Sequence, residues 1–333
     1  MQVYAEISLE QEQTIPQEGV AEPRAETQSF CRYLWTLSVF FLLLYCVPLY
    51  LVRRADFEQW SESPYTPALN FAFETAGQNA DVVLFGDSTL LHGIDPSQMS
   101  AALDVKVLNL PGTVATLRIL DDLALRRYMQ VNRPPRLIVF YFAPWDFDYS
   151  HSTYPTSTYA GVELLAHRGT GAEILAFVES HPLQSLQFPF QFYYANRRVA
   201  TILKHPYRSI GFEVARTQGH FTNPVQTKLA PDCQFPAAVM DELRFDSVKT
   251  MGERYQTPQT KVLYFVAPVP NCRNAAPVVN RSYSELPAAP PKEMPAAMFS
   301  TEPVILHPLA GSVPAVTQNL IDAVRPLLAD SKP

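Results

Sequence analysis

The longest unbroken apolar pattern lies near the N-terminus. From Tyr33 to Val52 the chain carries no charged side chain, and Arg32 and the pair Arg53-Arg54 bracket the run. A helix of that length rises about 30 Å, the thickness of a hydrocarbon core. Trp35 and Tyr50 stand near its two ends, where interfacial aromatics gather, and Pro48 is tolerated in a membrane helix. The pattern predicts a transmembrane helix over residues 33–52. A buried core helix is the alternative, but such helices rarely run this far without a charge. No small-residue cleavage site follows the run, so it is an uncleaved anchor rather than a signal peptide.

Further along, four short apolar runs each end at a structure breaker. Asp81–Phe85 meets Gly86, Val105–Leu110 meets Pro111-Gly112, Arg136–Ala143 meets Pro144, and Lys261–Val266 meets Ala267-Pro268. Each has the length and the Val, Ile, Phe and Tyr content of a fully buried strand. Helical patterns separate them. Asp95 caps a helix over Pro96–Leu103 with proline at its first position. Thr113 or Thr116 opens another that runs to about Gln130, and Thr317–Ala329 forms a last one, which Pro326 ends or kinks near Arg325. Strands alternating with helices predict an α/β fold: a parallel sheet covered on both faces.

Between about Trp145 and Thr260 the alternation fails. Short helical pieces at Gly171–Glu179 and Asn196–Lys204 predict a cap or insertion over residues 147–258. Ten prolines between Pro268 and Pro314 predict an extended excursion before the last helix. The chain thus divides into a tail over 1–30, the membrane helix, a linker over 53–75, and a domain over 76–333.

Composition narrows the function. The 333 residues are 47% hydrophobic and 17% charged, with a net charge of −6. That balance argues against nucleic-acid partners, which call for a basic patch. Six Glu against Arg24 alone make residues 1–30 an acidic tail that cannot bury enough surface to order itself. Arg24 and Arg32 before the helix match Arg53 and Arg54 after it, so basic residues do not orient the anchor. Cysteines lean one way. Cys31 and Cys46 belong to the membrane region; Cys233 and Cys272 sit in proline-rich loop sequence of the domain. They are candidates for a disulfide, with two unrelated thiols as the alternative, and suit an oxidising compartment. This places the tail in the cytoplasm and the domain outside it, periplasmic or extracellular. No His-x-x-x-His, Cys-x-x-Cys, P-loop or G-x-G-x-x-G spacing occurs, so no metal or other cofactor is expected.

The strongest chemical signal is Asp81–Pro96, where a buried strand runs into Gly86-Asp87-Ser88-Thr89 and a helical turn. In a doubly wound sheet, ligands sit beyond the carboxyl ends of strands. A serine there is exposed, near a helix start, and suits a nucleophile whose product is an oxyanion; the plain alternative is a helix N-cap. Gly86-Asp87-Ser88 after an apolar strand resembles the first block of the SGNH (GDSL-type) hydrolases, whose fold is a flavodoxin-like αβα sandwich and whose nucleophile is that serine. The longer string, with Gly93-Ile94-Asp95-Pro96, resembles a membrane-anchored subset that accompanies membrane-bound O-acyltransferases in polysaccharide and cell-wall O-acylation.

The resemblance implies further residues. Gly112 matches the second block, and its N–H would join that of Ser88 as oxyanion donors. In the third block, Trp145 stands where an Asn donor is usual, followed by Asp146. In the fourth, His307 before the last helix is the general base. Val304 occupies the place of the orienting Asp, and Glu302 is the nearest acid; a backbone carbonyl is the other way to hold the imidazole. The resemblance spans roughly residues 81–146 and 300–328. It implies an esterase or acyltransferase that acts through a Ser88 acyl-enzyme on O-acyl, mainly acetyl, groups of an extracytoplasmic glycan. Its implied partners are that glycan, the lipid bilayer and a membrane-bound O-acyltransferase. The alternatives are a non-catalytic scaffold that binds glycan or such a partner, and a plain tethered esterase or lipase. The remaining histidines are expected to be structural, with His92 in a surface turn. Phe188–Tyr194 with Arg197-Arg198 is expected to pack in a core rather than stack on sugars.

Overall fold

A computed structural model describes residues 23–52, 65–149, 159–190, 199–200, 204, 210–222, 226–236, 243–301 and 306–329. The chain falls into two compact units, Met1–Val47 and Pro48–Pro333.

The first unit is built on helix α1 (Pro23–Val52). The helix starts within the expected tail, at a proline that suits a first helical turn. Its segment Gln28–Val47 is long and apolar enough to cross a membrane, and none of that segment is buried. Trp35, Phe40 and Phe41 are all exposed, an arrangement costly in water and favourable in lipid.

In the second unit, helix α2 (Tyr65–Phe73) occupies residues the sequence assigns to a linker. Ala68, Leu69 and Ala72 are buried. Residues 53–64 lie outside the described residues. The sheet consists of β1 (Val82–Gly86), β2 (Val107–Pro111), β3 (Leu137–Phe142) and β4 (Lys261–Val266), each within one or two residues of expectation. They are parallel, in the order β2-β1-β3-β4. Every residue of β1, β2 and β3 is buried, which explains their unalternating hydrophobicity.

Helices cover both faces. Val82, Leu84 and Val139 pack in one core with Leu90 and Ile94, with Met99 of a helix at Pro96–Leu103, and with Leu320 and Val324 of the C-terminal helix. Val83, Phe85 and Phe140 pack in another with Leu117, Leu125, Tyr128, Val248 and Met251. Burial of side chains of this size stabilises by about 1.5–3 kcal/mol each.

Three expectations change. The helix after β2 is two helices, Val114–Leu120 and Leu123–Val131. The break falls at Asp121, whose φ is 49°, and at the fully buried Asp122. Asp122 accepts bonds from Arg126 and Arg254 and, at 2.6 Å, from the Tyr255 hydroxyl. Tying that carboxylate to a distant helix outweighs continuing the first one. That distant helix, Asp246–Tyr255, lies in the region assigned to a cap, yet it packs on the sheet. Finally, the last helix runs unbroken from Val313 to Ala329 through Pro326. Pro326 and Asp322 face solvent, so the turn that proline interrupts lies on the water-facing side of the helix.

Candidate active site

β1 lies between β2 and β3, so the chain reverses direction across the sheet at its carboxyl end, the place where open α/β sheets bind ligands. Gly86 ends the strand. A Cβ there would stand 1.9 Å from the Tyr141 carbonyl oxygen of β3, so only glycine lets the two backbones pass. Asp87 follows as the N-cap of a short helix, Ser88–Gly93. Its fully buried carboxylate accepts from the Thr89 N–H at 2.7 Å, the Thr89 hydroxyl at 2.5 Å and the Ala143 N–H at 2.8 Å. Because Asp87 does the capping, Ser88 is the first helical residue and its hydroxyl is free for other work.

That hydroxyl meets His307. Ser88 Oγ and His307 Nε2 lie 3.0 Å apart, joining the first strand to the loop before the last helix. The loop is fixed by its backbone: the Ser300 N–H donates to the His307 carbonyl at 2.8 Å, and the Leu309 N–H to that of Met298. His307 is 2% exposed. Glu302 and Val304 lie outside the described residues. Among the described residues, His307 Nδ1 is buried with no hydrogen-bond partner.

The group against His307 is His92, with ring centroids 4.3 Å apart and planes at 41°. His92 is buried, not in a surface turn. Its Nδ1–H donates to the Phe221 carbonyl at 3.0 Å, and Tyr65 and Phe221 pack edge-on. The signal for it was present, since Ser88 and His92 are one helical turn apart. His220 is buried as well, donating from Nδ1 to the Leu91 carbonyl.

Burial is the main reason that all three imidazoles favour the neutral form. His307 is held well below the usual histidine range, with His92 adding to the effect. His92 is pushed down to about 4, the Phe221 carbonyl opposing and His220 assisting. His220 is lowered, with Asp95 and the Leu91 carbonyl opposing. A histidine depressed in the native state is protonated more readily in the unfolded chain. Stability is therefore complete above about pH 6.5 and falls as pH drops toward the native pKa. At pH 5, His92 alone costs about 2 kcal/mol. Asp146, discussed next, acts with the opposite sign, so the useful quantity is a difference. Between pH 7.5 and 5, thermal unfolding of His92→Phe is expected to lose less stability than wild type. Parallel curves would show that His92 does not titrate on unfolding.

The other expected site residues divide. Asp146 faces Asp87. Burial first, then the Asp87 charge and a hydrogen bond to it, raises the Asp146 carboxyl well above the usual carboxylate range. Protonated, it donates to Asp87, and its N–H bonds to the Ala143 carbonyl at 3.0 Å. The end of β3 is thus clamped to the nucleophile turn. The Gly112 N–H, expected as an oxyanion donor, donates to the Gly86 carbonyl at 2.7 Å. The β1–β2 ladder runs one bond past the Gly86–Pro111 pair and uses that donor. Trp145 is half-buried and packs edge-on against Phe235, giving it a packing role. Cys233 and Cys272 form a disulfide that fixes the same loop. Among the described residues no cluster of three or more metal-ligating side chains occurs. Phe188–Phe190 form a short 3₁₀ turn in which Phe188 packs on Phe177; residues 191–198 lie outside the described residues. Comparison of the chain with family models, characterised proteins and solved structures gives no match.

Proposed function

We propose that this chain is a membrane-anchored, SGNH-like serine esterase or O-acyltransferase. Its acyl groups, chiefly acetyl, would come from or go to an extracytoplasmic polysaccharide or cell-wall polymer. The observation that carries the reading is the 3.0 Å contact of Ser88 Oγ with His307 Nε2 beyond the carboxyl end of the central strand. Nucleophile and base within hydrogen-bond reach are the minimum for acyl transfer.

In this mechanism His307 Nε2 takes the Ser88 proton as Oγ attacks the ester carbonyl. The tetrahedral oxyanion receives the Ser88 N–H, which has no partner within its helix. Collapse expels the alcohol, which takes the proton back from His307 and leaves an acyl-serine. Water or a glycan hydroxyl, deprotonated by His307, then attacks the acyl-serine, and Ser88 Oγ leaves as the free hydroxyl by taking that proton from His307. The apolar α1 supports an anchor at the bilayer, and the disulfide supports an extracytoplasmic domain. A membrane-bound O-acyltransferase is the partner that this placement suits.

Incubation of the detergent-solubilised chain with an activated acetyl ester, quenched in acid, is expected to leave one acetyl group on the Ser88 peptide by mass spectrometry. An oligosaccharide acceptor should discharge it faster than water. The second reading, a non-catalytic scaffold, is favoured by the Gly112 N–H being engaged by Gly86. A folded chain that never carries acetyl on Ser88 would establish that reading and exclude the first.

A further inference from the structure

The two orphan nitrogens of the site are complementary. His92 must carry its proton on Nδ1, because the carbonyl of Phe221 can only accept. Its Nε2 is therefore a bare lone pair, buried and, among the described residues, without a partner. If His307 Nε2 is to accept the Ser88 hydroxyl, the His307 proton sits on Nδ1, and that N–H is also buried and, among the described residues, without a partner. A donor lacking an acceptor and an acceptor lacking a donor belong to rings whose centroids are 4.3 Å apart. A buried polar atom left unpaired is costly, so a turn of the rings that joins them is favoured. Catalytic hydrogen bonds commonly tighten only when substrate is bound.

We propose that His92 does the work of the orienting carboxylate, its Nε2 accepting from His307 Nδ1–H so that Nε2 of His307 stays bare toward Ser88. This rests on the serine mechanism above and deepens it: the relay is Ser88–His307–His92, with the Phe221 carbonyl fixing the far end. His92 is a positioning residue. It sits one turn along the helix that Ser88 begins, so one rigid element carries both the nucleophile and the group that aligns its base. The groups facing His92 are Tyr65, Phe221, His220 and His307. Among the described residues none of these supplies a carboxylate.

The test uses the full chain in detergent. His92→Phe keeps a ring against His307 but removes the acceptor; His92→Gln restores an acceptor oxygen. Fluorophosphonate labelling of Ser88 is expected to fall about 10²-fold in His92→Phe, as for a misplaced catalytic group, and to recover in part in His92→Gln. A folded His92→Phe that labels at the wild-type rate overturns it, since a packing role alone would be preserved. Long-range ¹H–¹⁵N spectra of the wild type give a readout independent of activity. His307 is expected in the Nδ1–H tautomer and His92 likewise; a His307 proton on Nε2 overturns the inference even if the variants do not fold. A wild type that shows the Nδ1–H tautomer but never labels would refute the serine mechanism while leaving the His92–His307 pairing standing.

Discussion

Ser88→Ala is expected to abolish fluorophosphonate labelling, and His307→Ala to slow it by about 10²–10⁴-fold, the usual contribution of a positioned general base. The serine result tests the nucleophile. The histidine result tests the 3.0 Å contact, because a serine hydroxyl without a base is a poor nucleophile at neutral pH. The pH profile adds a second check on the same pair. The base must be neutral to act, and burial together with His92 holds His307 below the ordinary histidine range. Labelling should therefore remain at its plateau through pH 6.5 and decline only in more acid solution. The same depression makes His307 a weak base, so the plateau itself should be low beside that of a serine hydrolase with a carboxylate-backed histidine. Equal labelling of wild type and His307→Ala would show that the contact is structural.

Gly86→Ala should be strongly destabilising. The new Cβ would lie 1.9 Å from the Tyr141 carbonyl oxygen, and the obstacle is β3 backbone rather than a flexible side chain. β1 and β3 would have to separate where Asp87 and Asp146 join them. Overpacking typically costs 1–3 kcal/mol and more where the backbone cannot yield, so a loss of about 3 kcal/mol or more, or no folded protein, is expected. The urea midpoint measures it. Gly311→Ala is the control: a Cβ there has nothing within 4 Å, and its midpoint should stay within about 0.5 kcal/mol of wild type. If the two variants unfold together, the strand packing at Gly86 is not as described.

The local pattern along the chain was enough for the four strands, because β1, β2 and β3 are buried on both faces and are apolar almost throughout, and β4 is rich in Val, Leu, Tyr and Phe. It was also enough for the helix capped by Asp95 and for an anchor-length helix near the N-terminus; His307 as a partner for Ser88 came from the family resemblance and not from the pattern. The part played by each backbone donor was beyond it. Whether the Gly112 N–H is free depends on how far the β1–β2 ladder runs, a matter of register between strands and not of either strand alone. The cap is Asp87 rather than Ser88 because the Asp87 carboxylate is also held by the Ala143 N–H, just past β3. The helix after β2 breaks because Asp122 is drawn to Arg254 and Tyr255 far along the chain. His92 was expected in a surface turn, although its spacing from Ser88 allowed the same helix face. Only the folded chain lays the loop before the last helix across it, leaving two buried nitrogens that need each other. Periodicity records which side of an element is buried; which polar atoms find partners there is decided by packing between segments that the sequence keeps far apart.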